Sequence, residues 1–325
     1  MSAVERLTLT TVTENHVDML LADTPLATRA GLIHHFDPKL PTVVGENGIA
    51  IHVEVEWGRY RYRALFDTGM SGAVLLHNAN ALGVDLDAVD HLVLSHGHPD
   101  HYGGLLGLLE SRRVALPVAL HPDAYLPRYL RLASGQVAPY YNADLTPESL
   151  SEAGGRPVEH TTPLEIGPGL IATGAIPREV DFERPPSDIT APNALIQISR
   201  HETCPDVVPD DQALVIEVGK DGIIVLSGCA HAGIINTLQY AMKLTGRDRV
   251  IAVIGGFHLG FPGTPAAKTD RTIEALRDIG VELLCPMHCT GMSSMMRIAD
   301  ALPGSFLLNC TGTTLSLDAH ATANL

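Results

Sequence analysis

The chain has 325 residues, with 22 Lys+Arg against 37 Asp+Glu and a formal net charge of −15. So acidic a balance is ill suited to wrapping nucleic acid or coating an anionic membrane, both of which need concentrated positive charge. A hydrophobic content of 45% excludes a disordered chain, and 30 Gly with 22 Pro but no G-X-Y period exclude collagen.

Leu7 to Thr13 alternates and is rich in β-branched residues, which predicts a strand. Its N-terminal flank has an early Glu5 and no basic stretch before an apolar run, so no secretory leader is expected. Gly48–Trp57 and Arg59–Phe66 predict a hairpin about Gly58. In its second half Tyr60, Tyr62 and Ala64 share one side, and Arg59, Arg61 and Arg63 the other. Asp67-Thr68-Gly69 turns the chain into a helix at Val74–Leu82, stopped by Gly83. His91–Ser95 reads as a short buried strand that ends in a dense polar sequence, GHPDHYGG.

Leu105–Ser111 predicts a helix, and Val114–Leu120 a strand whose Pro117 suits a sheet edge. From about 121 to 163 the pattern loosens, and an insertion placed as a lid over a site is expected. Tyr140 and Tyr141 in it either line an aromatic pocket or decorate the surface. Glu165–Thr173 predicts a strand and Pro177–Pro192 a loop. Ala213–Val218 and Gly222–Ser227 predict a hairpin, followed by Gly228-Cys229-Ala230-His231 and a helix from about Gly233 to Leu244. Val250–Gly255 predicts a strand leading into Gly256-Phe257-His258. A helix starts at Pro265 behind Thr264 as its cap and ends at Ile279 before Gly280. Leu283–Pro286 leads into Met287-His288-Cys289, with a helix at Ser293–Ala301 and a last strand at Ser305–Leu308. The halves repeat one grammar of hairpin, buried strand, polar loop and helix. Two sheets packed face to face, with helices outside, satisfy it.

No apolar run is long enough to span a bilayer. The five cysteines, Cys204, Cys229, Cys285, Cys289 and Cys310, are an odd number in a chain too long to need staples, so a reducing, cytoplasmic location is expected.

The chemistry concentrates at His96, His98, Asp100 and His101, directly after an apolar strand. Buried together, these groups would repel one another on protonation and leave polar atoms without partners. A divalent cation resolves both problems. Imidazole nitrogen and carboxylate oxygen are ordinary ligands of zinc and also suit iron and manganese. His96 and His98, two apart in an extended segment, point the same way and can hold one ion. Asp100 and His101 follow the turn at Pro99 and can reach a second.

Asp67-Thr68-Gly69 followed by His96-X-His98-X-Asp100-His101 resembles the metallo-β-lactamase superfamily. More narrowly, FDTG, LSHGHPDHYGG, LSGCAHAGIINT, GGFHL and PMHCTG, in that order, resemble the branch that includes the 7,8-dihydropterin-6-methyl-4-(β-D-ribofuranosyl)aminobenzene-5′-phosphate synthase-like proteins. The resemblance covers most of the chain. It implies a single α/β domain over 1–325, a four-layer αβ/βα sandwich with two metal ions between the sheets.

It also implies roles by position. Asp67 would orient the metal-binding loop through hydrogen bonds, and His288 would bind the second ion. Two departures stand out. The superfamily's usual histidine near Thr173–Arg178 is missing, and Gly228-Cys229-Ala230-His231 stands where a bridging aspartate is usual. Cys229 then either takes the bridging place or is a small buried residue, and His231 supplies the missing imidazole. His258 either faces substrate or is a buried histidine without a role. Arg178 either anchors a substrate phosphate or carboxylate or is a solvated loop charge. Cys285 and Cys289 have no second Cys/His pair at zinc spacing and read as packing residues.

Two cations held close together lower the pKa of a bridging water, and the hydroxide attacks carbon or phosphorus. The cations stabilise the developing oxyanion, while Asp100 accepts a hydrogen bond from the nucleophile or moves its proton. The expectation is a dinuclear metal-dependent hydrolase, with zinc ahead of iron or manganese, acting on a small phosphorylated or pterin-like substrate. A transferase of the dihydropterin synthase type is kept beside it, and an iron-dependent oxidoreductase or dioxygenase on the same fold is the alternative. No nucleic-acid or membrane partner is expected, and the oligomeric state is open, a homodimer included.

Overall fold

A computed structural model describes residues 4–31, 39, 41–140, 144–198, 202–219 and 222–318. The first half contains β1 (Arg6–Thr13), β2 (Ala27–Thr28), β3 (Ala50–Trp57), β4 (Tyr60–Phe66), α1 (Gly72–Leu82), β5 (His91–Val93), α2 (Pro99–Tyr102), α3 (Leu105–Ser111) and β6 (Leu116–Leu120). Next come β7 (Tyr129–Arg131), β8 (Val137–Pro139), α4 (Pro147–Glu152), β9 (Gly155–Glu159), β10 (Leu164–Gly167), β11 (Leu170–Ala172), β12 (Leu195–Ile198) and β13 (Thr203–Pro205). The chain continues through β14 (Ala213–Val218), β15 (Gly222–Ser227), α5 (Ile234–Thr245), β16 (Val250–Gly256), α6 (Ala266–Ile279), β17 (Leu283–Met287), α7 (Met292–Ala301) and β18 (Thr314–Asp318).

The strands form three sheets, ordered β2-β18-β1-β3-β4-β5-β6-β9, β10-β11-β14-β15-β16-β17 and β13-β12-β7-β8. The hairpins are antiparallel, whereas β4-β5-β6-β9 and β15-β16-β17 run parallel. Parallel neighbours need crossovers, and the helices supply them. The parallel strands therefore all send their C-terminal loops to one end of the molecule, where open α/β sheets place their ligands.

The inner faces of the two large sheets meet in one apolar cluster. It joins Leu7, Leu9, Val53 and Phe66 to Leu214, Ile216, Leu226 and Ile254. Leu75 of α1, Leu105 and Leu108 of α3 and Leu150 of α4 cover Leu65, Leu92 and Val118 on the outside of the first sheet. Leu238 of α5, Leu276 of α6 and Ile298 of α7 cover Val215, Val225 and Val253 on the outside of the second. This is the four-layer αβ/βα sandwich.

Most strand and helix ends lie within a residue or two of expectation, and larger differences have local causes. Pro117 does not mark an edge, because β6 lies between β5 and β9. Its missing N–H is tolerated because β5 pairs only with Val118 and Ala119. The strand expected over Glu165–Thr173 is the hairpin β10–β11, turned by Gly169 at φ +71°. Ser305–Leu308 forms no strand beyond an isolated bridge from Phe306 to Leu284. The first sheet instead takes in β18 beside β1. Thr264 does not cap α6; Pro265 holds that position without a side-chain bond. The segment from 121 to 163 divides: β7 and β8 join β12 and β13 in the small sheet, while α4 and β9 extend the first sheet. Tyr141, Lys220 and Asp221 lie outside the described residues. Among the described residues no helix is long and apolar enough to cross a membrane.

One strand residue carries a pH effect. His52 of β3 is buried with Nε2 unpartnered, and burial lowers its pKa from 6.5 to about 4. Between those values the unfolded chain takes up a proton that the folded chain refuses. The contribution of His52 is therefore complete above pH 6.5 and falls as the pH drops towards 4, by about 3 kcal/mol in all. His52→Gln should flatten this part of the stability profile in denaturant titrations at falling pH. A profile as steep as the wild type's would count against it.

Candidate metal centre

Four loop residues that follow parallel strands hold left-handed backbone: Asp67 at φ 58°, Ala230 at 53°, His258 at 50° and His288 at 50°. L-residues rarely adopt that conformation, and about 1–3 kcal/mol of strain each is typical of sites over-determined by their surroundings. Asp67, His258 and His288 here carry polar side chains that point towards a common space.

Asp67 is fully buried and accepts three hydrogen bonds: from Ser95 N at 2.6 Å, Ser95 Oγ at 2.7 Å and His101 Nδ1 at 2.7 Å. Ser95 Oγ in turn lies 2.9 Å from His96 Nδ1. Both imidazoles are thus held by Nδ1, which leaves Nε2 for the site. A Cβ on Gly228 would lie 2.1 Å from Ser95 Oγ, so only glycine lets the loop after β15 close over this pair. On the other side, Asn15 Oδ1 accepts from His288 Nδ1 at 3.0 Å, and Glu14 Oε1 accepts from His288 N at 2.6 Å.

The donors fall into two sets. His96, His98 and His231 have ligand atoms within 4.8 Å of one another, and so do Asp100, His101 and His288. Cys229 lies between them: its Sγ is 3.2 Å from His101 Nε2, and it also groups with His96. His96 Nε2 and His98 Nδ1 are 2.9 Å apart, near the edge of about 3.3 Å expected for nitrogens around a zinc ion. His288 Nε2 lies 3.3 Å from Asp100 Oδ2. The Nε2 atoms of His231, in the first set, and His288, in the second, are buried without a hydrogen bond. Buried imidazole nitrogens need partners, and a cation shared among these rings would supply one. The donor sets therefore fit the metal that the motif implies.

The charges agree with this. Burial, then the neighbouring imidazoles and the Arg128 guanidinium, hold His96 and His231 far below the usual histidine range, as neutral ligands must be; His98 is lowered by burial and then Arg128. Burial alone would lower His101, but Asp67 and Asp100 raise it to about 9. Burial would raise Asp100, yet His101 and His288 keep it well below the usual carboxylate range. A cation at the second set must therefore displace a proton from His101. Its apparent affinity should rise at least about tenfold per pH unit up to about pH 9, with His101 supplying one of the protons released in unbuffered titration. Affinity independent of pH from 7 to 9 would contradict this.

The other expected residues have other duties. The phosphate-anchoring reading of Arg178 is corrected: its guanidinium donates to the carbonyls of His231 at 2.7 Å, Val207 at 2.6 Å and Val208 at 2.9 Å. It holds the His231 loop in place instead of offering its fork to a ligand. His258 packs on His231 at 4.2 Å and stacks on the half-exposed Phe261 at 4.3 Å, with its Nδ1 unpartnered. Tyr140 packs on His98 at 5.0 Å and reaches Asp100 Oδ1 at 3.4 Å, so it lines the site. Cys285 lies in the apolar core, whereas Cys289 lies outside it, its Sγ within 4.8 Å of ligand atoms of Cys229 and His288.

Sequence reasoning passed over the residues that brace the loops. Asp210 Oδ2 accepts from Gly97 N at 2.7 Å, and Asp211 Oδ2 from Ala232 N at 2.8 Å. Gln212 gives twice, from N to Ser95 O and from Nε2 to Leu94 O, both at 2.9 Å, and its Oε1 accepts from Gly174 N at 3.2 Å. Three consecutive residues thus tie the loop after β5 to the loop after β15. In sequence they look like an ordinary acidic turn. Asp210 also pairs with the fully buried Arg128.

The chain matches the profile of the metallo-β-lactamase superfamily over residues 59–188. With this fold and a relative covering most of its length, it belongs to that superfamily of enzymes. That relative is the 7,8-dihydropterin-6-methyl-4-(β-D-ribofuranosyl)-aminobenzene-5′-phosphate synthase of Methanocaldococcus jannaschii. It is 32% identical over 251 residues, 77% of this chain and 82% of that protein. An uncharacterized protein of the same organism is 29% identical over 237 residues, 73% of this chain and 82% of its own. Among solved structures, Tm1679, a metal-dependent hydrolase of the β-lactamase superfamily, shares the fold with a TM-score of 0.68 at 24% identity, covering 96% of this chain and 99% of that one.

Proposed function

We propose that this chain is a dinuclear metal-dependent hydrolase acting on a small phosphorylated or pterin-like molecule. The observation that supports this most is the pair of donor sets, His96/His98/His231 and Asp100/His101/His288, with Cys229 between them. Zinc is the cation we assign, because imidazole, thiolate and carboxylate together match its preferences. Two such ions would make water nucleophilic near neutral pH and neutralise charge on the oxyanion or leaving group.

The chain's own groups supply positioning. Asp67, Ser95 and Asn15 fix the imidazole rings. Asp100 is kept ionised and can accept a hydrogen bond from the nucleophile. Tyr140, His258 and Phe261 offer flat ring faces around the donors, which suits a planar heterocycle. The charge of −15 supports a small-molecule partner over nucleic acid or an anionic membrane. A cytoplasmic location belongs to the same proposal.

Transfer to an organic acceptor is the second reading, favoured by 32% identity with a synthase. Two donor sets favour displacement over oxygen chemistry at a single open iron site. The test is a zinc-loaded sample of measured metal content, given phosphodiesters, lactones and a pterin diphosphate, with and without an aromatic amine. Product in water alone supports hydrolysis, and product only with the amine supports transfer. No turnover of any of them with two ions bound defeats both, and one equivalent of zinc at saturation defeats the dinuclear reading.

A further inference from the structure

Cys289 is a free thiol beside the site that the two donor sets leave unused. We propose that it is a metal ligand, and that with Cys229 and His288 it forms a sulfur-rich set for a thiophilic divalent cation. This rests on the metal-centre reading above and extends it.

The ligand atoms of Cys229, His288 and Cys289 lie within 4.8 Å of one another, as close as those of either histidine set. The sulfur sits in a space made for it. A Cβ on Gly256 would fall 2.5 Å from Cys289 Sγ, so the glycine at the end of β16 leaves the room it occupies. His258 N points at the sulfur from 3.3 Å, and Cys289 Sγ in turn lies 3.5 Å from Cys229 O. An amide directed at sulfur stabilises a thiolate and tunes a thiolate ligand. The neighbouring backbone is pinned to the same loop: Gly260 N donates to Cys289 O at 2.9 Å and Phe257 N to Thr290 Oγ1 at 3.0 Å.

Cys285, four residues earlier, shows the contrast. It lies at 0% exposure within the apolar core between the sheets, where burial pushes its thiol up to about 12. Cys289 belongs to none of the apolar clusters of the described residues.

His288 is shared. With Asp100 and His101 it makes a set of hard and borderline donors, and with Cys229 and Cys289 a soft one. A cation on His288 therefore has sulfur donors within reach beside Asp100 and His101. Softness decides whether it adds them, so zinc, cobalt and cadmium should engage the thiolates as well, whereas manganese and magnesium should keep to the oxygen and nitrogen donors. Each thiol loses its proton to solvent as the bond to the cation forms, and no redox step is involved.

The experiment substitutes cobalt(II) into the full chain and records the near-ultraviolet thiolate-to-cobalt charge-transfer band. Wild type should show a band of about twice the intensity of Cys289→Ser and of Cys229→Ser, and the double variant should show none. Cys204→Ser is the control and should match wild type. Far-ultraviolet circular dichroism and bound cobalt per chain are read on each sample. The decisive result is Cys289→Ser that is folded, cobalt-loaded and undiminished in its band; that overturns the proposal while leaving the metal centre standing. Wild type that binds no cobalt at all overturns both. A Cys289→Ser protein that fails to fold is replaced by Cys289→Ala, read by the same band.

Discussion

Arg128→Met should cost about 3–5 kcal/mol of stability, the largest loss expected of any single substitution near the site. Arg128 is fully buried. It pairs with Asp210, with Asp206 Oδ2 at 3.3 Å, and with the carbonyl of Asp123 at 3.1 Å. Methionine fills much of the volume but leaves two buried carboxylates facing each other without a cation. Burial already raises Asp206 despite the guanidinium, so its removal should push that group to protonate. The effect extends further, because the partner carboxylate of Asp210 holds Gly97 N between His96 and His98. Metal affinity should fall together with stability. Denaturant titration and chelator competition on the same sample measure both. Stability within 1 kcal/mol of wild type would show that the pair is dispensable.

Asp67→Asn is the second large effect, and it should separate from the first by sparing the fold. The carboxylate accepts at both oxygens, from Ser95 N, Ser95 Oγ and His101 Nδ1. An amide accepts at only one. If its oxygen faces Ser95 N, its NH2 meets His101 Nδ1 and drives the proton to Nε2, which then faces the cation position. If it is reversed, it opposes the Ser95 amide donor to donor. The first arrangement puts the proton on the nitrogen that should bind, and the second pushes away the Ser95 backbone whose hydroxyl holds His96, so cation affinity should drop at least 10–100-fold. The readout is chelator competition, with Tyr140→Phe as comparison, since that hydroxyl touches Asp100 only at 3.4 Å. Affinity within threefold of wild type would remove Asp67 from the role.

The part of the site written in consecutive residues was legible before any coordinates. His96, His98, Asp100 and His101 declare a metal loop because no other arrangement reconciles so many imidazoles after an apolar strand. The parts that were hidden depend on contacts between distant segments. Ser95 looks like the last residue of a strand, yet it relays Asp67 to His96. Glu14 and Asn15 are more than 270 positions from the His288 they hold. Arg178 carries the charge of an anchor, and only its three carbonyl partners show that the charge is already engaged. Pro117 misled because a proline is read as an edge unless one knows that the adjoining strand stops short of it. Strand β18 was missed because its pairing partner is β1, at the other end of the chain.

The donors are divided between the two layers of the sandwich. His96, His98, Asp100 and His101 leave the first sheet, and Cys229, His231 and His288 leave the second. A cation bound across that seam would act as a clasp: it could form its full set of bonds only with the halves docked, so its binding energy would resist their parting. Chelation should therefore loosen the molecule along one plane, with amide exchange quickening on the facing strands while each sheet with its own helices keeps its protection.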